Sequence, residues 1–295
     1  VVDVSNPDDP TVDNALSGWF SGYLYSVAVS GDYAYVGDGT GVQVIHVSSQ
    51  LDITLEGRLN ADAGRGLVVP LLGETLYAAA SDKGLVIASL DVPTRPVKIG
   101  AYAQPIGRAK DVAVSGGHAY VAAFEKGLQI IDVRDPWNLK WAGSYECGAA
   151  VGVSFASVSD NGYALVAIGN GGVAVVDVDD PNAPSLVASL DTEGYAGEVA
   201  VFKGSSPSDP TYALVTVPWH LEVYDISDLP DPPTRIASVM LPDVSYGVAV
   251  LSAEADPPFA LVACGSSGLV KVDLSDPDNA FIWRVFDTES AALGV

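Results

Sequence analysis

The chain has 295 residues, 48% of them apolar, and no window approaches the roughly 18 consecutive apolar residues of a membrane-spanning helix. Its 14 Lys and Arg against 37 Asp and Glu give a formal net charge of −23, which argues against a nucleic-acid partner, since no basic stripe exists to neutralise phosphates. The 30 Gly and 19 Pro, with few amphipathic runs of helix length, predict many short strands joined by turns.

The chain opens with Val1-Val2-Asp3-Val4-Ser5-Asn6-Pro7, the end of a strand and its bend, and residues 14–20 read as an outer strand. It begins inside a strand-like run, without an initiator Met or signal peptide, and is expected to be a mature or trimmed segment of a longer protein. A repeating grammar follows. First strands centre on Val27, Leu67, Val112, Val153, Val199, Val248 and Val295, spaced 40 to 49 residues apart. Second strands are predicted at 33–36, 76–79, 163–166, 212–215 and 259–262, and third strands at 42–47, 85–90, 173–178, 221–226 and 269–274. The clearest copy is AKDVAVSGGHAYVAAFEKGLQIIDVRDPWNLKWAGSY, residues 109–145, with strands at 111–115, 118–122, 128–133 and 141–145. Its breaks hold Gly, which supplies positive φ, Pro, which cannot continue a ladder, and Asp or Asn, which close Asx turns.

One four-stranded sheet cannot bury both of its faces, and these strands are nearly continuous in small and β-branched apolar residues, so each sheet is expected to be covered on both sides. A period of 40–50 residues with four strands per unit is the signature of an all-β propeller, here a single domain over 1–295. Complete repeats fall at about 24–59, 66–102, 109–145, 151–190, 197–240 and 246–286. The fragments at 1–20 and 291–295 complement one another and are expected to close a seventh blade. Six blades with disordered ends is the alternative.

The grammar D-V-A-V-S-G-x-x-A-Y-V followed by G-L-x-I-I-D-V-x-D-P resembles the LVIVP repeat family of bacterial and archaeal surface propellers. Residues 111–116, 119–121 and 127–136 match best, 27–47 well, and 151–178 and 248–277 with substitutions. In two units the pattern departs: Leu71-Leu72-Gly73 replaces the usual turn, and Val217-Pro218-Trp219-His220 replaces the Gly-containing bend. The resemblance implies a secreted or surface-exposed propeller of a prokaryote, and its motifs are structural, so it carries over no catalytic residue.

In such a fold the side chains opening the inner strands line the mouth of a central channel. These are Tyr25, Ser26, Arg65, Lys110, Asp111, Glu198 and Tyr246, with Gly66, Gly152, Gly247 and Gly294 at matching positions. Arg65 and Lys110 against Asp111 and Glu198 read as a balanced ion network, or as a site for a small polar or anionic ligand. Asp38, Asp82, Phe124, Glu125, Trp219 and His220 belong to the same face. Trp219-His220 is the pair the repeat explains least: a Trp at a loop tip stacks on a sugar, anchors an interface, or packs under its own loop. His220 has no companion histidine at zinc-ligand spacing, since His46 and His118 occupy distant repeat positions. The clusters Asp177/Asp179/Asp180 and Asp273/Asp276/Asp278 resemble partial calcium loops without the Gly and Glu of an EF-hand, and Asx turns account for them. Gly169-Asn170-Gly171-Gly172 lacks the helix a phosphate cradle needs, and no Gly-x-Ser-x-Gly elbow occurs. Cys147 and Cys264 read as inert thiols. Longer turns at 203–211 and 252–259, with 229–233, thicken one face of adjacent blades.

The sequence therefore supports a non-catalytic extracellular or cell-surface module that binds a protein or a surface polymer, with no cofactor, calcium at the two acidic clusters being the alternative. The alternatives are a channel-mouth hydrolase or lactonase using Asp111 and Glu198, and a carbohydrate binder centred on Trp219.

Overall fold

A computed structural model of the chain describes residues 2–3, 11–12, 24–47, 53–60, 66–68, 74–103, 106–203, 209–251, 258–288 and 291–295. It divides into two compact units, one of residues 1–109 with 135–139, the other of residues 110–134 with 140–295. In the first unit β1 (Val2–Asp3) pairs antiparallel with β2 (Thr11–Val12). Two four-stranded antiparallel sheets follow. One is β3 (Ser26–Ser30), β4 (Tyr33–Gly37), β5 (Val42–Val47) and β6 (Ile53–Leu59). The other is β7 (Gly66–Val68), β8 (Thr75–Ala79), β9 (Leu85–Ser89) and β10 (Val97–Tyr102).

The second unit holds four such sheets. They are β11 (Asp111–Ser115), β12 (His118–Ala122), β13 (Leu128–Asp132) and β14 (Lys140–Tyr145), then β15 (Gly152–Val158), β16 (Asn161–Ala167), β17 (Val173–Asp177) and β18 (Ser185–Leu190). After them come β19 (Val199–Lys203), β20 (Thr211–Val217), β21 (His220–Asp225) and β22 (Thr234–Met240), and last β23 (Gly247–Leu251), β24 (Phe259–Ala263), β25 (Leu269–Asp273) and β26 (Phe281–Phe286). Every sheet falls inside one sequence repeat, and its strands pair in chain order.

Composition decides which strands are buried. The middle strands β12, β13, β16 and β17 carry Ala, Val, Leu and Ile on both faces and are almost wholly buried, whereas the outer β14 and β18 are only partly so. Cores lie between successive sheets. Ile130 and Leu128 pack with Val153, Val166 and Val176; Leu165 and Val175 with Val199, Val215 and Tyr224; Leu214 and Val223 with Val248, Val262 and Val272. A fully buried aliphatic side chain of this kind contributes about 1.5–3 kcal/mol.

Two local devices repeat. The Asp that ends a third strand accepts the amide two residues on: Asp132 from Arg134, Asp177 from Asp179, Asp225 from Ser227 and Asp273 from Ser275, at 2.8–3.1 Å. The acidic clusters are thus the Asx turns expected of them. Each fourth strand is also bulged where it pairs with the third, as between Ile130 and Ile131. At the β14 bulge stands Gly143, and a methyl there would overlap the carbonyl oxygen of Pro181 in the next sheet's bend. In the first unit Gly57 meets the carbonyl of Thr94 in the same way.

The described residues form six four-stranded blades, so the expectation of seven is corrected to the alternative of six. The strand expected at 14–20 lies outside the described residues, and β1 and β2 pair with each other. Residues 291–295 do repeat a crossover: Ala292 bridges Gly265 just as Ala150 bridges Phe124 and Ala196 bridges Gly169. Among the described residues no second strand extends that bridge into a ladder. Of the longer turns, 204–208 and 252–257 lie outside the described residues. Cys147 and Cys264 are both free thiols, and burial raises both, Cys264 to about 12, which leaves them unreactive.

Candidate functional site

The inner strands of the second unit begin with alternating acid and glycine: Asp111, Gly152, Glu198, Gly247. The alternation has a steric and hydrogen-bonding cause. Asp111 Oδ1 accepts the Val112 amide at 2.8 Å, and its Oδ2 accepts the Val153 amide of the following inner strand at 2.9 Å. Glu198 does the same for the Val248 amide. Between the acids, Gly152 leaves space for the neighbouring backbone: a methyl there would lie 3.0 Å from the Gly197 carbonyl oxygen and 3.1 Å from Glu198 Cα. Gly247 makes the same room for Gly294 and for Glu198 Oε2. Each carboxylate therefore stitches its strand to the next one.

This arrangement brings Asp111 and Glu198 close enough to feel each other's charge. Burial raises the proton affinity of both. For Glu198 the charge of Asp111 adds to that, against the opposing amide of Val248, and it is held well above the ordinary Glu value. Both side chains keep some solvent-accessible surface, but the protein packed around the carboxyls governs their protonation. Glu198 is further fixed by Thr216, whose hydroxyl accepts its amide at 2.9 Å and whose own amide donates to its carbonyl at 3.0 Å. Two carboxyls held like this release protons unequally, with Glu198 the one that keeps its proton to higher pH.

The other expected residues do not all join them. Lys110 immediately precedes β11, with its ammonium 5.2 Å from the ring centre of Phe124. Arg65 lies outside the described residues. Tyr25, in the first unit, donates its amide to Gly37 and lays its ring on Gly39. Asp38 is buried and serves a turn. Its carboxylate accepts the amides of Thr40 and Gly41 at 2.9 Å and the Gln43 side chain at 2.8 Å, with Arg58 at 3.9 Å. Burial works to raise Asp38, but these donors outweigh it and hold it low. Among the described residues no three His, Cys, Asp or Glu side chains gather into a metal-binding group.

Trp219 and His220 do stand out. Trp219 forms the β20–β21 turn with φ +68° and is 50% exposed, while His220 opens β21 half-buried. The turn gathers neighbours from both sides. A methyl on Gly194 would lie 3.2 Å from Pro218 Cδ, which sets Tyr195 beside the turn, and the ring of Tyr195 lies on Gly169. On the other side Ser245 Oγ donates to the Val217 carbonyl at 2.8 Å, which sets Tyr246 there, with its ring and the Asp243 carboxylate over Gly265. The Trp219 carbonyl accepts the Leu241 amide at 2.7 Å, and Met240 pairs with His220. Tyr195, Met240 and Tyr246 are exposed as well.

Near this turn lies an ion network around one buried carboxylate, which the sequence reading did not single out. Glu222, fully buried, accepts the Tyr224 hydroxyl at 2.6 Å, the Glu193 amide at 3.0 Å and Arg235 at 3.0 Å; Arg235 also pairs with Glu193 at 2.6 Å. A signal was present in the repeats. Gln43 and Gln129 occupy the position of Glu222, the second residue of the third-strand run, so a Glu there marks a departure. Glu222 with Arg235 fastens the 191–193 crossover and so places Tyr195.

With that geometry in view, the chain matches the LVIVD repeat at residues 21–60, 106–147 and 154–192, the family whose grammar it resembles. Among curated proteins none matches it in sequence. Two solved structures resemble it in fold. One is a functionally unknown protein from Desulfotomaculum acetoxidans DSM 771, with 13% identity and a TM-score of 0.70 over 93% of this chain and 88% of that one. The other is the WD40 beta propeller domain of Doa1, with 10% identity and a TM-score of 0.69 over 94% and 86%. At these identities the likeness gives the fold alone: an all-β propeller with four-stranded blades, carrying LVIVD repeats.

Proposed function

We propose that this chain is one propeller domain that works as a non-catalytic binding or assembly module on the outside of a prokaryotic cell, with a protein as its partner. The observation that carries the reading is the exposed rings of Tyr195, Trp219 and Tyr246, which lie at the turns of three successive blades, with Met240 beside Trp219. Large apolar side chains held in solvent by fixed backbone bonds are what an interface uses, and aromatic residues are the commonest anchors there. The extracellular setting is supported by the repeat resemblance.

A second reading has one observation in its favour, the Asp111–Glu198 pair. Hydrolysis by paired carboxyls needs both of them free to exchange protons with a substrate. Here each already accepts a strand amide, which gives it a structural task. We therefore prefer the binding module.

Cross-linking mass spectrometry on the protein gently extracted from its native source tests the choice. The expected outcome is a stoichiometric partner linked to the loop face of the second unit. A lone species whose turnover of a lactone or glycan is lost in Asp111→Asn and Glu198→Gln would reverse it.

A further inference from the structure

The aromatic group around Trp219 carries a charge as well as an apolar surface. Glu193 and the buried Glu222 share a single Arg235, so those three side chains keep one net negative charge next to Tyr195. Asp191, exposed two residues before Glu193, adds another. On the far side Asp243 lies with Tyr246 over Gly265, and the Ser266 hydroxyl and the neighbouring amides hold its carboxyl below its ordinary value, so it stays ionised. The whole chain bears a formal charge of −23. Aromatic rings bounded by carboxylates are the surface that takes a cation, because the ring face is electron-rich and the carboxylates pair with the charge.

The protein treats its own few cations this way. Lys271 Nζ lies 4.0 Å from the ring centre of Phe259 and 4.2 Å from that of Trp283, and the Arg284 guanidinium lies 5.5 Å from that of Phe286. Among the described residues no Lys or Arg is placed over Tyr195, Trp219 or Tyr246, which leaves three solvent-facing rings on the acidic side of the turn.

We propose that the Tyr195–Trp219–Tyr246 face of the second unit binds an arginine- or lysine-rich segment of a partner protein, its cationic side chains lying on the rings and pairing with Glu193 and Asp243. The proposal rests on the binding-module reading and adds the chemistry of the partner. Association is driven by opposite charge and placed by the rings, so it weakens with salt, whereas its position on the surface does not change.

The test is fluorescence anisotropy with a labelled short peptide of alternating Arg and Gly, its citrulline counterpart, and the full chain at low ionic strength. Binding of the Arg peptide is expected, with loss of binding for citrulline. Trp219→Ala and Tyr246→Ala should each weaken it about tenfold, the range for a stacked cation at an anchor residue, and Trp137→Ala, an exposed Trp elsewhere, should leave it unchanged. The double variant Glu193→Gln, Asp243→Asn probes the same face through different side chains, so a folding defect in one variant does not decide the matter. Equal affinity in the parent, Trp219→Ala and the double variant overturns the proposal, since the peptide would then be held by diffuse charge alone. A parent chain that ignores the peptide but cross-links a partner overturns the proposal and leaves the binding module standing. Absence of any stoichiometric partner overturns the module reading itself.

Discussion

At the scale of single residues, many of the carboxylates bind the protein's own backbone. Asp111 and Glu198 accept strand amides, Asp38 pins a turn, and the Asp residues ending third strands close Asx turns. Among the described acids, Asp111 and Glu198 are held in a state unfavourable to their charge. The consequence for stability has a definite sign. A carboxyl whose folded proton affinity exceeds its unfolded one contributes stability that is fully present below the unfolded value, about 4.3 for Glu, and is lost as pH rises through the folded value. Glu198 is shifted in this direction by burial and then by Asp111. Thermal melts of the parent and of Glu198→Gln across pH should therefore coincide near pH 4 and separate toward pH 8, with the variant the more stable. Gln still accepts the Val248 amide, so that bond is not lost. A tenfold difference in proton affinity is worth about 1.4 kcal/mol, and in a chain of this size each kcal/mol moves Tm by about 2–4 °C. Parallel curves would show that the pair titrates alike in both states. The sequence named both acids because they open inner strands, but not the amides of Val153 and Val248, which belong to the inner strand of the following blade.

At the scale of elements, the blade is a four-stranded meander whose outer strand must bend to admit its neighbour. Gly143 marks that place: its bulge and its missing side chain let the Pro181 carbonyl approach. Gly143→Ala is expected to destabilise the fold by about 1–3 kcal/mol, as overpacking against rigid backbone does. Gly116→Ala makes the comparison. Gly116 has φ +56° and open space around it, so the substitution should cost about 1 kcal/mol from backbone strain alone. Denaturant midpoints with unchanged m-values report both, and a Gly143 variant no weaker than the Gly116 variant would refute the close approach. The sequence displayed the strands and turns clearly, since Gly, Pro and Asp punctuate them and apolar runs fill them. It did not display the bulges, because a bulge is a misregister between two strands and has no composition of its own.

At the scale of the whole molecule, the dominant quantity is charge. A net −23 on 295 residues repels itself, and the repulsion is longer-ranged than any single ion pair. Added sodium chloride should raise Tm by several degrees as the Debye length falls from about 30 Å at 0.01 M to about 8 Å near physiological ionic strength. A flat response would mean that the acids are neutralised locally. Blade count also belongs to this scale. Seven was inferred from complementary fragments at the two ends, yet the described residues form six blades, with the last crossover, Ala292 on Gly265, bridged but not extended.

The sequence by itself determined the class of fold, all-β with four-stranded units recurring along the chain. That class rests on interactions between residues close in the chain: turn chemistry, hydrophobic runs and the hairpin rule that neighbours in sequence pair. The sequence also singled out Trp219, because that residue breaks the repeat. Only the tertiary structure decided what lies beside what across blades. It placed Tyr195 and Tyr246 on either side of Trp219, paired Glu222 with Arg235, put Lys110 on Phe124, and tied Asp111 to Val153. Such contacts join residues tens of positions apart, where packing geometry rather than local preference selects the partner, and no spacing along the chain encodes them.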